Sequence, residues 1–229
     1  MVAKINLNAD MRLRPNPSLS QSEPRSAADF IPVRKTLPVL REALQGCRGC
    51  ELYRHATQAV PGEGRQSALI VFVGEQPGAE EDLQGRPFVG PAGRLFDRAL
   101  EEAGIDRSAV YITNAVKHFK FEERGKRRIH KKPSSSETAA CRPWLEAELA
   151  VIRPGILVCL GATAAQSIFG RDYRVTRERG QFRRHDWAPQ ATSTIHPSAI
   201  LRAPSDRRSL EYQRLVEDLR KVRAAAQAV

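Results

Sequence analysis

The stretch "SALIVFVGEQPG", residues 67–78, decides the fold. From Ala68 to Val73 the chain is apolar without interruption, β-branched or aromatic for much of its length, and it stops at Gly74. A strand with one wet face would alternate, and an amphipathic helix would repeat every three to four residues. This run does neither, so it reads as a strand buried on both faces that empties into a Gly-Pro turn. A strand covered on both faces needs helices above and below it, which is the situation of a parallel sheet.

Working outward, the same kind of run recurs in "AVYITNAV" (109–116), in "ILVCLGATAAQSIFG" (156–170), where a Gly turn leads into a helix, and in "ATSTIHPSAIL" (191–201), which breaks at His196-Pro197. Between these lie helical patterns. "TLPVLREALQGC" (36–47) sets Leu40 and Leu44 on one face behind a Thr36 cap, and "AGRLFDRALEEAG" (92–104) is closed by Gly104. "SSETAACRPWLEAELAVIRPG" (135–155) has Ser136 as its cap and Pro154-Gly155 as its stop, and "SLEYQRLVEDLRKVRAAAQ" (209–227) ends the chain. The expected fold is α/β: a three-layer α/β/α sandwich around a central, mainly parallel four-stranded sheet. Residues 1–35, rich in Pro, Ser and Arg without a sustained period, read as a flexible N-terminal arm, and residues 36–229 as a single domain. Sites in open parallel sheets lie at the carboxyl ends of the strands. Here those ends are "GEQPG", "TNAV", "GAT" and "HPS".

The chain has 229 residues and a formal net charge of +11, an excess that favours polyanionic partners, nucleic acid above all. Eight Lys or Arg fall between Lys117 and Lys132 against only Glu122 and Glu123, and the run contains "GKRRIH", residues 125–130. No stretch approaches the roughly 20 apolar residues that span a bilayer, and the N-terminus has no apolar signal core. The reading is a cytoplasmic monomer without membrane contact. In a reducing compartment four cysteines point to metal ligation or free thiols rather than disulfides. Cys47 and Cys50 form a CxxC pair, and Cys141 and Cys159 follow 18 positions apart. Four thiolates suit a structural zinc or an iron–sulfur cluster. Zinc ribbons use two close pairs, so the spacing leans toward a cluster, with a tethering role for the N-terminal helix and no redox turnover.

Together "GEQPG", "GRPFVGPAG", "TNAVK", the four cysteines and "HPSAILR" resemble the uracil-DNA glycosylase superfamily over roughly residues 36–225. The cysteines resemble its iron–sulfur (family 4-like) branch, and "GKRRIH" resembles the X-type members (UdgX), as does Gln76 where ordinary members carry a small apolar residue. The resemblance implies a [4Fe-4S] cluster on Cys47, Cys50, Cys141 and Cys159, with structural zinc as the alternative. It implies uracil-containing DNA as substrate, preferentially single-stranded because unstacking costs least there, with the base flipped into a pocket.

Carried over by position, Phe88 is the aromatic floor and Asn114 reads the uracil edge, its amide offering both a donor and an acceptor. Gly74 and Gly78 let the loop backbone approach the base. His196 stabilises the departing uracil anion. Ile200 and Leu201 are candidate wedges, a buried Ile-Leu pair being nearly as good a reading. Lys126, Arg127, Arg128, Lys131, Ser198 and Arg202 are the expected DNA contacts, with Lys132 beside them. His118 is read as a surface or supporting residue near phosphate. In the X-type members the loop histidine attacks the sugar, which would make His130 the nucleophile at C1′, oriented by Glu75 beside Gln76, and leave the protein linked to DNA after one turnover. Two other readings stand: an ordinary hydrolytic glycosylase with the basic loop as a clamp, and a non-catalytic nucleic-acid-binding module.

Overall fold

The computed structural model describes residues 26–125 and 127–228. Helix α1 (Leu37–Leu44) opens the domain, and β1 (Ile70–Gly74) follows a long loop. Helices α2 (Ala79–Gln84) and α3 (Pro91–Ala103) lead to β2 (Tyr111–Asn114). A hairpin of β3 (Phe121–Arg124) and β4 (Arg127–His130) precedes α4 (Ser135–Ile152) and β5 (Ile156–Leu160). Then come α5 (Ala162–Phe169), α6 (Val175–Glu178), β6 (Arg183–His185), β7 (Ala188–Thr194), α7 (Pro197–Arg202) and α8 (Ser205–Gln227).

The main sheet has the order β2-β1-β5-β7-β6, parallel except where β6 pairs antiparallel with β7. The expected α/β/α layering is present, but the sheet has five strands rather than four. The fifth is a three-residue edge strand, Arg-Arg-His, whose charge suits an edge and whose sequence has no apolar period to betray it.

Alternation along the central strands sorts the core. Phe72, Ile112, Val158 and Leu160 face α3, α7 and α8, whereas Val71, Val73, Leu157 and Cys159 face α4 and α5. Helix α4 is two-sided: Leu145, Leu149 and Ile152 cover the sheet, while Cys141, Trp144 and Ala147 meet Leu40 and Leu44 of α1 in a third cluster. That cluster also takes in Ala27, from a short turn at Ala27–Phe30. So the described end of the expected arm packs against the domain from residue 27 onward, and residues 1–25 lie outside the described residues. The cap of α4 is Ser134, not Ser136: its hydroxyl accepts from the Glu137 amide, and the Glu137 carboxylate accepts from the Ser134 amide.

The strand order reverses between β1 and β5, since β2 lies to one side of β1 and β5 to the other. At such a switch point the loops leaving the two strands part and open a crevice. Glu75 leaves β1 there and Gly161 leaves β5.

Candidate active site

Five chain segments meet at that crevice. Gly74 stands opposite Asn114 in the register of β1 and β2, and the loops run on side by side, Ala115 and Val116 donating their amides to the carbonyls of Gly74 and Glu75. Asn114 is 2% exposed, and its Oδ1 is buried with no hydrogen-bond partner. A buried carbonyl oxygen without a donor costs about 1–3 kcal/mol and so marks a place awaiting one. Gly74 keeps that place open: a Cβ there would sit 2.3 Å from Asn114 Oδ1 and 2.8 Å from the Phe88 ring.

Phe88 forms the opposite wall, tilted 35° to the His196 ring at 5.8 Å between centroids. Its φ is +58°, a left-handed backbone that costs a residue with a side chain on the order of 1 kcal/mol. Two features impose it. Gly93 lets the backbone pass where a Cβ would lie 1.8 Å from the Phe88 carbonyl oxygen. Glu81 accepts from the amides of Gly78 at 3.0 Å and Gly90 at 2.8 Å, tying "GEQPG" to the Phe88 loop.

His196 caps α7. Its Nδ1 accepts from the Ser198 amide at 3.1 Å and lies 2.8 Å from the Ser198 hydroxyl. Burial pushes the imidazole down to about 4, with Arg202 and His130 adding to the effect and Glu75 opposing it. The ring is therefore neutral at pH 7, and because Nδ1 is an acceptor the proton sits on Nε2, leaving that nitrogen a donor.

The basic segment is not a loop. It is a hairpin, with Phe121 paired to His130 and Glu123 to Arg128. The two-residue period puts Arg128 and His130 on the face turned to the domain. His130 Nε2 lies 2.9 Å from Glu75 Oε1, and Gln76 Nε2 reaches the same ring at 3.2 Å. Gln76 also donates to the Lys131 carbonyl at 2.9 Å and accepts from the Lys120 amide at 3.0 Å, so one side chain sews both strands to the β1 loop. Burial raises the Glu75 carboxyl, but hydrogen bonds from His130 and Thr163, with the potential of His130 and His196, outweigh it and hold the group below the usual carboxylate range.

Arg128 departs from its expected role. It donates to the fully buried Asp82 carboxylate at 2.6 Å, to the Thr57 hydroxyl at 3.2 Å and to the Ala79 carbonyl at 3.2 Å, and it covers the rings of Phe119 and Phe121. It fastens the hairpin to the domain and is not free for DNA. Lys131 pairs with Glu122 at 2.5 Å on the surface. Arg127 and Arg202 are exposed, Ser198 serves the His196 cap, and Lys126 lies outside the described residues. Ile200 is fully buried core, so only Leu201 keeps partial exposure for a wedge. His118 is also buried, 4% exposed, and burial pushes it down to about 4 despite Asp82 nearby.

The structure separates the cysteines. Cys47, Cys50 and Cys141 share the cluster between α1 and α4, and the potential of Cys47 and Cys50 bears on Cys141. Sulfur acceptors there already have donors: Trp144 Nε1 at 3.1 Å from Cys47 Sγ, and the Lys117 amide at 3.2 Å from Cys141 Sγ. N–H groups aimed at thiolate sulfur suit a bound cluster. Cys159 does not belong to this set. It points to the other side of α4, inside the sheet face, where burial alone raises its thiol. The expected four-cysteine set is therefore not assembled, and among the described residues no three His, Cys, Asp or Glu side chains converge on a single ion.

Sequence reasoning missed Glu81, Asp82, Thr163 and the buried pair Lys117–Glu148 (2.6 Å), which holds Thr113 beneath Asn114. Only the Lys in "TNAVK" carried any signal of this. The acids stand in helices where acids are ordinary, and their roles rest on contacts far apart in sequence.

A family model described as the uracil DNA glycosylase superfamily matches residues 61–220. The chain is 40% identical over 192 residues to the Type-4 uracil-DNA glycosylase of Thermotoga maritima, covering 82% of this chain and 93% of that one. It is 38% identical over 180 residues to the Type-4 uracil-DNA glycosylase of Archaeoglobus fulgidus, covering 76% and 86%. The Type-5 uracil-DNA glycosylase of Thermus thermophilus is 32% identical over 124 residues, covering 48% and 53%.

Proposed function

Because the chain belongs to the uracil-DNA glycosylase superfamily, we propose that it excises uracil from DNA, single strands preferentially, and that His130 then bonds to C1′ of the sugar. The observation that carries the second half is the Glu75–His130 contact at 2.9 Å, made over a pocket whose Asn114 carbonyl lacks a donor.

The pocket chemistry supports uracil. The unpartnered Asn114 Oδ1 accepts from the base N3–H, and the amide nitrogen donates to a ring carbonyl; cytosine presents no donor at that position. The Phe88 ring offers a flat face for stacking. As the C1′–N1 bond breaks, its electron pair moves onto uracil, and the Nε2–H of neutral His196 stabilises the anion without itself having to be deprotonated. Glu75, held ionised, stabilises positive charge developing on the sugar. The His130 nitrogen facing Glu75 bears the ring proton, and the other presents its lone pair. Attack on C1′ forms the N–C1′ bond, and the ring proton passes toward Glu75. Alkylated imidazole is a poor leaving group at neutral pH, so the adduct persists.

Cys47, Cys50 and Cys141 are proposed to hold a [4Fe-4S] cluster that braces α1 against α4. A single zinc needs its sulfurs about 2.3 Å from one point, and among the described residues no three such side chains converge on one ion, whereas a cluster spreads its ligands over several irons. No catalytic step depends on it. Arg127, Arg202 and Lys131 remain proposed phosphate contacts, and the protein is proposed to act in the cytoplasm.

The test is a denaturing gel of the protein with a single-stranded uracil oligonucleotide. A heat-stable shifted band with wild type, lost in His130→Ser while free uracil is still released, is the expected result. Uracil release with no band in wild type would leave an ordinary hydrolytic glycosylase; neither band nor uracil would overturn the proposal entirely.

A further inference from the structure

A groove of about 280 Å³ descends between α4 and α5 from the edge of the active site. Its upper end is formed by Ala115, next to Asn114, and by Thr163 at the start of α5. Lys132, two residues beyond His130, stands on the rim. Its other lining cations are Arg142 and Arg171, and no Asp or Glu lines it. Trp187 is half-buried in its wall, with the Arg142 guanidinium 4.8 Å from the ring centroid. Lys132 and Arg171 are exposed, and neither makes an ion pair among the described residues.

We propose that this groove is a strand-binding subsite, which takes the nucleotides on one side of the flipped uridine. The inference rests on the proposed function and extends it. Arg142 is paired with Glu146 at 2.7 Å, but Lys132 and Arg171, exposed and in no ion pair among the described residues, suit a chain of phosphates. An indole with a guanidinium over it suits an unstacked base, since both planes stack on bases without regard to sequence. Continuity supplies the rest: a strand whose uridine lies against Asn114 passes Lys132 and Thr163 on leaving the pocket. Helix α5 has eight residues, about 12 Å in length, which accommodates roughly three nucleotides at the 3.4 Å rise of a stacked strand. A single strand can turn into such a groove; a duplex cannot.

The experiment uses the full chain and single-stranded oligonucleotides carrying one uracil, in two series with either the 5′ or the 3′ flank shortened to one nucleotide. Uracil release and adduct formation are read for wild type, Arg171→Gln and Trp187→Ala. With both flanks long, each variant is expected to bind about tenfold more weakly than wild type, and Arg171→Gln to flatten the logarithmic salt dependence by about 0.7. In one series only, shortening the flank should weaken wild type to the level of the variants and abolish the difference. Arg171 is exposed, so Arg171→Gln carries the test alone should Trp187→Ala fail to fold. Variants indistinguishable from wild type on long oligonucleotides, or a defect that survives truncation of either flank, overturn the subsite while wild-type activity preserves the enzyme assignment. A wild type inactive on every uracil oligonucleotide overturns both.

Discussion

Replacing Arg128 by Met should loosen the hairpin that carries His130 while leaving the rest of the domain folded. The side chain of Asp82 is fully buried, and that of Arg128 is 22% exposed. Asp82 keeps its bonds from the Thr57 amide, at 3.0 and 3.1 Å, so it is not wholly orphaned. Losing a charge-assisted hydrogen bond to a buried carboxylate costs about 1.5–3 kcal/mol, and losing the cation over Phe119 and Phe121 adds roughly 0.5–1 kcal/mol. A net 3 kcal/mol is about a 150-fold shift toward an open hairpin. Hydrogen exchange reads this directly. The Lys131 amide, bonded to the Lys120 carbonyl, and the paired amides of β3 and β4 should exchange on the order of 100-fold faster, with central-sheet amides such as Phe72 and Val158 unchanged. Adduct formation should fall more than uracil release, because His130 rides on the hairpin whereas Asn114 and His196 do not. Arg128→Met with Asp82→Leu should recover part of the protection, since no unpaired charge is then left buried. Unchanged exchange in Arg128→Met, or no recovery in the double variant, would refute the idea that this ion pair holds the hairpin.

Gly74→Ala should abolish uracil excision by about 100-fold or more with little change in melting temperature, because the new Cβ enters the space between Asn114 and Phe88; a competent Gly74→Ala enzyme would put the base elsewhere. Stability should fall as pH drops from about 6.5 to 4. His118 and His196 both have folded values near 4, so in that window the unfolded chain takes up protons that the folded chain refuses. For the buried His118 the loss is on the order of 3 kcal/mol, and denaturant titrations of His118→Gln should show a correspondingly flatter acid limb. Cys159→Ala should retain iron content and visible absorbance, whereas Cys141→Ala should lose both; iron lost from Cys159→Ala would restore the four-cysteine set.

The strands and their order in the chain were legible because burial on both faces leaves uninterrupted apolar runs, and those runs ended at the residues now lining the crevice. Gly74, Glu75, Asn114 and His196 could each be picked out because every one sits where a strand stops, whereas Phe88, in the loop between α2 and α3, was carried over by the resemblance of "GRPFVGPAG". The edge strand β6 escaped notice because three basic residues at a sheet margin carry no period. Cys159 misled because a count of cysteines has no direction in it, whereas a strand does: one position along β5 would have turned its side chain to the opposite face, and neither face of the sheet meets the cluster behind α4.

By itself the sequence determined the layered α/β plan, the strand ends that bear the chemistry, and the basic segment with its histidine, all of which depend on local pattern and residue type. Tertiary structure alone decided that the segment is a hairpin, that Arg128 is spent on Asp82 and not on DNA, that three cysteines gather without the fourth, and that His196 is neutral. These follow from distances between residues tens of positions apart and from how much water each group has lost, and a linear sequence records neither.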